Sequence, residues 1–138
     1  MTHTNFTHLL RNRNLKATPI RLELLSTIAG HEKAMPFSEI QQALHDFDRV
    51  TLYRTINSLL EHGIIHKAMA DEKDTFYALC STQCNAQRHN HRHIHFKCTR
   101  CESVSCLPVD TSTELDIPGH VVNELRIEAT GICTSCNR

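Results

Sequence analysis

Two cysteine pairs, Cys98-Thr-Arg-Cys101 and Cys133-Thr-Ser-Cys136, constrain this chain more than any other feature. A two-residue gap lets both sulfurs of a pair reach one ion from a tight turn, and four thiolates make a tetrahedral cage for zinc. Whatever fold forms between residues 101 and 133 must bring its two ends together. The rival reading is a redox CxxC, which lacks here the βαβ context of thioredoxin-like motifs. A histidine run, His89, His91, His93 and His95, precedes the first pair. The cage is already full, so these histidines imply a second metal event.

Length limits the rest. A chain of 138 residues holds one domain or two small ones, and small units gain from a metal clamp or a dimer partner. It has no apolar run long enough to span a bilayer and no apolar signal core at its start, so a cytoplasmic protein is expected. In a reducing compartment its seven cysteines read as metal ligands or redox thiols. The formal net charge is zero, yet the charges are unevenly spread. Arg11, Arg13, Lys16 and Arg21 precede the first acidic residue. Such a basic end suits a phosphate-facing unit, or is ordinary surface charge.

The first half has helical periodicity. Thr18-Pro19 is a helix start, Ile20, Leu24, Leu25 and Ile28 recur at helical spacing, and Gly30 ends the run. A second helix is expected from Ser38, with Ser38 and Gln41 as a capping box, and a third from near Asp48 to Gly63. The third buries Leu52, Ile56, Leu59 and Leu60 and turns Arg49, Thr51, Tyr53, Arg54 and Asn57 outward. Those polar side chains suit phosphates and base edges. Two β-prone runs, 64–69 and 75–80, flank the polar turn 71–74. Helices followed by a hairpin make a winged helix-turn-helix; the alternative is a small helical bundle with a solvated helix face.

Hairpin register bears on metal binding. A turn centred between Glu72 and Lys73 pairs His66 with Leu79, whereas a turn centred on Lys73 pairs His66 with Cys80. In the second register the two Cβ atoms stand roughly 4.5–5.5 Å apart, close enough to grip one ion. Further on, His91, His93 and His95 alternate and share one face of a strand. Val104, Cys106 and Leu107 read as the return strand, broken at Pro108. Pro118-Gly119 opens a last segment, Val121 to Ala129, before the second CxxC. The expected fold is α+β: a winged helix over 1–80, a hinge over 81–92 and a small α/β dimerisation and metal-binding domain over 93–138.

Three stretches together resemble the ferric uptake regulator family: Leu15-Lys-Ala-Thr-Pro-Ile-Arg21, the run from Val50 to Ile64, and His91-x-His-x-His-x-x-Cys-x-x-Cys101 with Gly131-x-Cys-x-x-Cys136. The resemblance implies a metal-responsive repressor, not an enzyme, that forms a homodimer on a palindromic DNA operator. It implies neither a small-molecule substrate nor a membrane partner. It also implies structural zinc in the paired CxxC site and a second, regulatory divalent metal at the hinge. Within the family the chain is most similar to the zinc uptake regulator branch. That likeness implies His66, Cys80, His93 and His95 as regulatory ligands, with zinc as the metal. Cys84 is an alternative to Cys80, and His91 or Cys106 to one of the histidines. The implied DNA contacts are Tyr53 and Arg54, with Arg49 and Thr51 near the helix start, Lys16 in a minor groove, and Arg21 on phosphate or bracing the first turn. Competing functions are an iron- or peroxide-responsive repressor of the same family, a zinc storage protein and a thiol-redox protein.

Overall fold

Pro19 begins helix α2 (Pro19–Gly30), as its fixed φ and missing N–H favour at a first helical position. Thr18 takes the N-cap backbone conformation, but its side chain makes no capping hydrogen bond. The computed structural model describes residues 3–79, 93–108, 117–122 and 126–138. A helix not foreseen from the sequence, α1 (His3–Asn12), precedes α2 and buries Phe6 and Leu10 completely. Its pattern is sparse because His, Asn and Thr fill most other positions. Arg13 then extends across the core, and its Nη1 donates to the His62 carbonyl at 3.2 Å.

Helix α3 (Phe37–Ala43) begins one residue earlier than expected, and no capping box forms at Ser38. Instead the Ser38 backbone N–H and hydroxyl both donate to the Asp74 carboxylate, across the fold. This exchange is possible because Met35–Pro36 form a short strand, β1, paired with Tyr77 and Phe76. Helix α4 (Arg49–Glu61) starts as expected: Asp48 caps it, accepting from the Thr51 N–H at 2.8 Å. Its end is a Schellman motif. Gly63 sits at φ 68°, where glycine is unstrained, and the Ile64 N–H reaches back to the Leu59 carbonyl at 3.0 Å. Leu24, Leu25, Leu52, Ile56 and Leu59 are buried where α2 and α4 meet. Each such side chain contributes about 1.5–3 kcal/mol by leaving water.

The wing is β2 (Ile65–Ala70) and β3 (Thr75–Leu79). Neither expected register holds at its base. Ala70 faces Thr75 and Met69 faces Phe76, as for a turn centred between Glu72 and Lys73. A bulge between Lys67 and Met69 then shifts the ladder, so His66 faces Ala78 and Ile65 faces Leu79. The extra residue cannot be read from composition, because nothing about Ala68 marks a bulge.

A second sheet has strand order β5-β4-β6, built from β4 (His93–Cys98), β5 (Val104–Pro108) and β6 (Ile127–Gly131). The last strand begins later than expected: Val121 and Val122 lie in a non-repetitive segment and are exposed. β4 and β5 are antiparallel around the first CxxC, while β6 runs parallel to β4, with Gly131 opposite Cys98. A Cβ on Gly131 would stand 3.4 Å from the Phe96 ring, an ordinary packing contact.

The wing lies on this second sheet. Ala34, Ala68, Met69, Phe76 and Val104 form a small buried cluster between them, and the Ala34 N–H donates to the Val104 carbonyl at 2.9 Å. Lys97 on β4 pairs with Asp71 in the wing turn and lies 5.6 Å from the centre of the Phe76 ring. The fold is therefore α+β, a winged helix-turn-helix followed by a small sheet carrying the four cysteines. Among the described residues, no helix is long and apolar enough to cross a membrane.

Candidate metal centres and DNA-facing helix

All four paired cysteines converge. Cys98 ends β4 and is buried, Cys101 follows in the turn, and Cys133 and Cys136 occupy the turn after β6. Their sulfurs lie within 4.8 Å of one another, with Cys101 and Cys133 at 3.8 Å. Sulfurs bound to a tetrahedral zinc at roughly 2.3 Å stand about 3.8 Å apart, so the cluster fits that ion. Backbone holds it in place: the Thr99 N–H donates to the Gly131 carbonyl at 2.8 Å, and the Arg100 guanidinium donates to the Cys136 carbonyl at 3.1 Å.

The electrostatics agree with a cation. Backbone N–H groups, first that of Cys101 and then that of Cys133, pull the Cys98 thiol down to about 6. The Ser103 side chain lowers Cys101. Cys136 is pushed up to about 12, chiefly by its contact with the Cys133 sulfur and by burial. Four such thiols cannot all ionise side by side without a positive charge among them.

A second donor set joins the two sheets. His66 on β2, His95 on β4 and Cys106 on β5 have their donor atoms within 4.8 Å of one another. His66 and His95 are buried, and their rings stack at 5.4 Å between centroids. His66 Nε2 and Cys106 Sγ are 3.8 Å apart, against about 3.6 Å for a nitrogen and a sulfur on one tetrahedral zinc. His95 and Cys106 are direct cross-strand partners. Burial raises the Cys106 thiol to about 11, so it becomes a good donor only opposite a cation that displaces its proton.

Of the expected regulatory ligands, His66 and His95 thus come together, and Cys106 stands where a third donor is needed. Cys80, Cys84 and His91 lie outside the described residues. His93 begins β4 opposite Pro108, and its side chain is likewise outside the description. The sequence offers Cys106 only as a substitute ligand, because the CxxC alone does not fix the register of this hairpin. The hairpin is centred between Arg100 and Cys101, which pairs position 95 with 106; a turn centred on the CxxC itself would pair 95 with 104.

On α4, Arg49, Thr51, Tyr53 and Arg54 are all exposed, Tyr53 at 53%. The Thr51 hydroxyl donates to Asp48 at 2.7 Å, so it is engaged in the cap. Lys16 is exposed between α1 and α2. Its carbonyl accepts from Arg21 at 2.9 Å, so Arg21 braces that turn. Two contacts near α4 had no signature in the sequence: the Phe37 ring meets Tyr53 edge-on, with centroids 6.3 Å apart, and lies 5.9 Å from the Arg49 guanidinium.

A model of the ferric uptake regulator family matches residues 12–115, most of the chain. The chain belongs to the ferric uptake regulator family. Members of this family are DNA-binding, metal-responsive regulators, not enzymes. The ferric uptake regulation protein of Staphylococcus aureus is 28% identical over 137 residues, covering 93% of each chain. The zinc uptake regulation protein of Escherichia coli strain K12 is 29% identical over 133 residues, covering 90% of this chain and 74% of that protein. A solved structure described as a zinc uptake regulator complexed with zinc and DNA shares the fold, with a TM-score of 0.64 at 23% identity over 97% of this chain and 91% of that one.

Proposed function

We propose that this family member is a zinc-responsive transcriptional repressor. It would act in the cytoplasm as a homodimer on a palindromic operator controlling metal-homeostasis genes. The observation that carries the reading is the His66–His95–Cys106 cluster, whose ligands come from the wing and from both antiparallel strands of the second sheet. A divalent ion held there supplies charge neutralisation and a cross-link between the two parts. His66 would bind it from the wing and His95 and Cys106 from the sheet, with Cys80 or His93 completing the set, and Cys84 or His91 as the alternatives. The angle between the parts sets the spacing of two recognition helices, which must match half-sites one or more helical turns apart. Differential affinity of the ion for the closed arrangement would then raise DNA affinity, and DNA would raise ion affinity equally.

A thiolate donor favours zinc over ferrous iron and manganese, which prefer harder oxygen-rich sets. The S. aureus relative, named for iron and matched about as well as the zinc-named one, makes iron the second reading. Structural zinc would sit in the four-cysteine cluster. Residues 1–80 would form the DNA-binding unit, 81–92 the hinge and 93–138 the dimerisation unit. Support for a dimer comes from exposed apolar side chains in the second half of the chain, among them Leu107, Val122, Ile127 and Ile132. In the DNA complex Tyr53 and Arg54 would read base edges, Arg49 and Thr51 would flank them, Lys16 would add charge, and Arg21 would act mainly through the turn it braces.

The test is binding to a duplex selected by the zinc-loaded protein from a random-sequence pool. Fluorescence anisotropy would be followed at buffered free zinc, ferrous iron and manganese. Zinc should produce tight binding at the lowest free concentration; equal response to iron would defeat the zinc assignment. Arg54→Ala should cost about 1–3 kcal/mol on the selected duplex and narrow the gap to random DNA. Lys16→Ala should weaken both and lower the salt slope by about one.

A further inference from the structure

Phe37 sits at a junction of three elements. It opens α3 directly after Pro36, whose pairing with Phe76 in the wing fixes the backbone. Next to it, Ser38 is tied to Asp74 through its backbone N–H at 3.3 Å and also through its hydroxyl. The ring is half-buried and packs on the main core. Its outer part meets Tyr53 at an interplanar angle of 86° and lies under the Arg49 guanidinium. Arg49 and Tyr53 are four residues apart and therefore neighbours on the exposed face of α4. Both distances fall within the ranges for edge-to-face aromatic pairs and for cation–π contact.

We infer that Phe37 is a positioning residue for DNA recognition, holding Tyr53 in the conformation that meets base edges and Arg49 in the one that flanks it. The inference rests on the DNA-binding reading above. Arg49 and Tyr53 are long, exposed side chains whose ordering on binding would otherwise oppose association. A rigid aromatic wedge, anchored to core and wing, orders them beforehand. The benefit is selective. Base edges accept only narrow geometries, whereas phosphates accept many. Loss of the wedge should therefore weaken binding to the correct sequence more than binding to random DNA. The wedge also connects the wing to the recognition helix, so wing position and base readout share one support.

The experiment uses the full-length, zinc-loaded protein and the selected duplex, with a shuffled duplex as the random comparator. Phe37→Leu keeps apolar volume against the core and removes the aromatic face; Phe37→Met serves if Phe37→Leu is poorly folded by circular dichroism. Either should lower the selected-to-shuffled affinity ratio on the order of tenfold, with the shuffled affinity and salt slope unchanged. Phe37→Tyr should retain the ratio. In a chain already carrying Arg49→Ala and Tyr53→Ala, Phe37→Leu should change the ratio less than about twofold, as its partners are gone. An unchanged ratio in Phe37→Leu beside an intact wild-type preference would overturn this inference alone. So would an equal loss on both duplexes, or a full loss in the doubly substituted background. A wild-type protein that selects no sequence would overturn the DNA-binding reading and this inference with it.

Discussion

The two donor clusters are built from the same few residue types but differ in what they join. The cysteine set staples neighbouring turns of one sheet, with all four sulfurs at the end where β4 and β6 lie side by side. The histidine–cysteine set spans from the wing to β4 and β5. An ion in the first would complete a unit; an ion in the second would restrain two units against each other. Ligand count follows the same division. Four thiols close a site, whereas three described donors leave a position for a ligand from elsewhere in the chain.

The largest effect that could break this contrast is loss of the cage. Cys98→Ser or Cys136→Ser should remove zinc, the dimer and DNA binding together, because binding confined to the folded state is folding free energy. Metal analysis and size-exclusion chromatography would show it. A folded dimer in both variants would refute a structural role. Next in size, Cys106→Ser, His66→Ala or His95→Ala should keep the fold and the cage yet count one metal fewer by native mass spectrometry. Each should raise the free zinc needed for DNA binding by at least about tenfold. Cys80→Ser and His93→Ala belong in the same series, since whichever behaves alike supplies the missing ligand. If Cys106→Ser alone responds as wild type, the thiol is a bystander.

A smaller effect tests the seam between the clusters. Lys97 stands between His95 and Cys98 in sequence and pairs with Asp71 of the wing, both side chains being largely but not wholly shielded. Lys97→Met should raise the zinc requirement of the second set slightly, by less than about 1 kcal/mol, and leave the cage intact. The increment should vanish in high salt. Least of all should acidity act through this pair. Lys97 first, then backbone N–H groups of Asp74 and Lys73, hold the Asp71 carboxyl down to about 2. A depressed carboxylate contributes stability that is complete above its ordinary value of 3.8 and lost only as pH falls towards 2. Metal response that weakens from pH 8 to 6 should therefore survive in Asp71→Asn. It would come from protons competing for imidazole.

Much of this was legible in the sequence where chemistry is local. The CxxC pairs, the Asp48 cap, the Gly63 stop and the apolar stripe of α4 each depend on residues within a turn or two. The His66 register was not legible, because one bulged residue in β2 moved it to Ala78. The Ser38 cap failed because Asp74, 36 residues away, offered the Ser38 N–H a partner. The Lys97–Asp71 pair and the Phe37 contacts are also between elements, and no periodicity encodes them. Cys106 belongs with these: its pairing with His95 depends on a hairpin centred between Arg100 and Cys101 rather than on the CxxC itself, and only packing of the wing on the sheet brings His66 to it.

Strand pleating carries one more consequence. A β4–β5 hairpin formed ahead of β6 would already hold five metal-seeking groups: His93, His95, Cys98, Cys101 and Cys106. On β4, positions 95 and 98 differ by an odd number, so their side chains leave opposite sides of the strand. His95 and Cys106 point to the wing, as do their neighbours Lys97 and Val104, while Cys98 points away. The pleat thus insulates one donor set from the other, and hinders a half-made chain from closing both sets on a single wrong ion. Deleting any one residue between 95 and 98 would remove that insulation and place imidazole and thiolate on the same side.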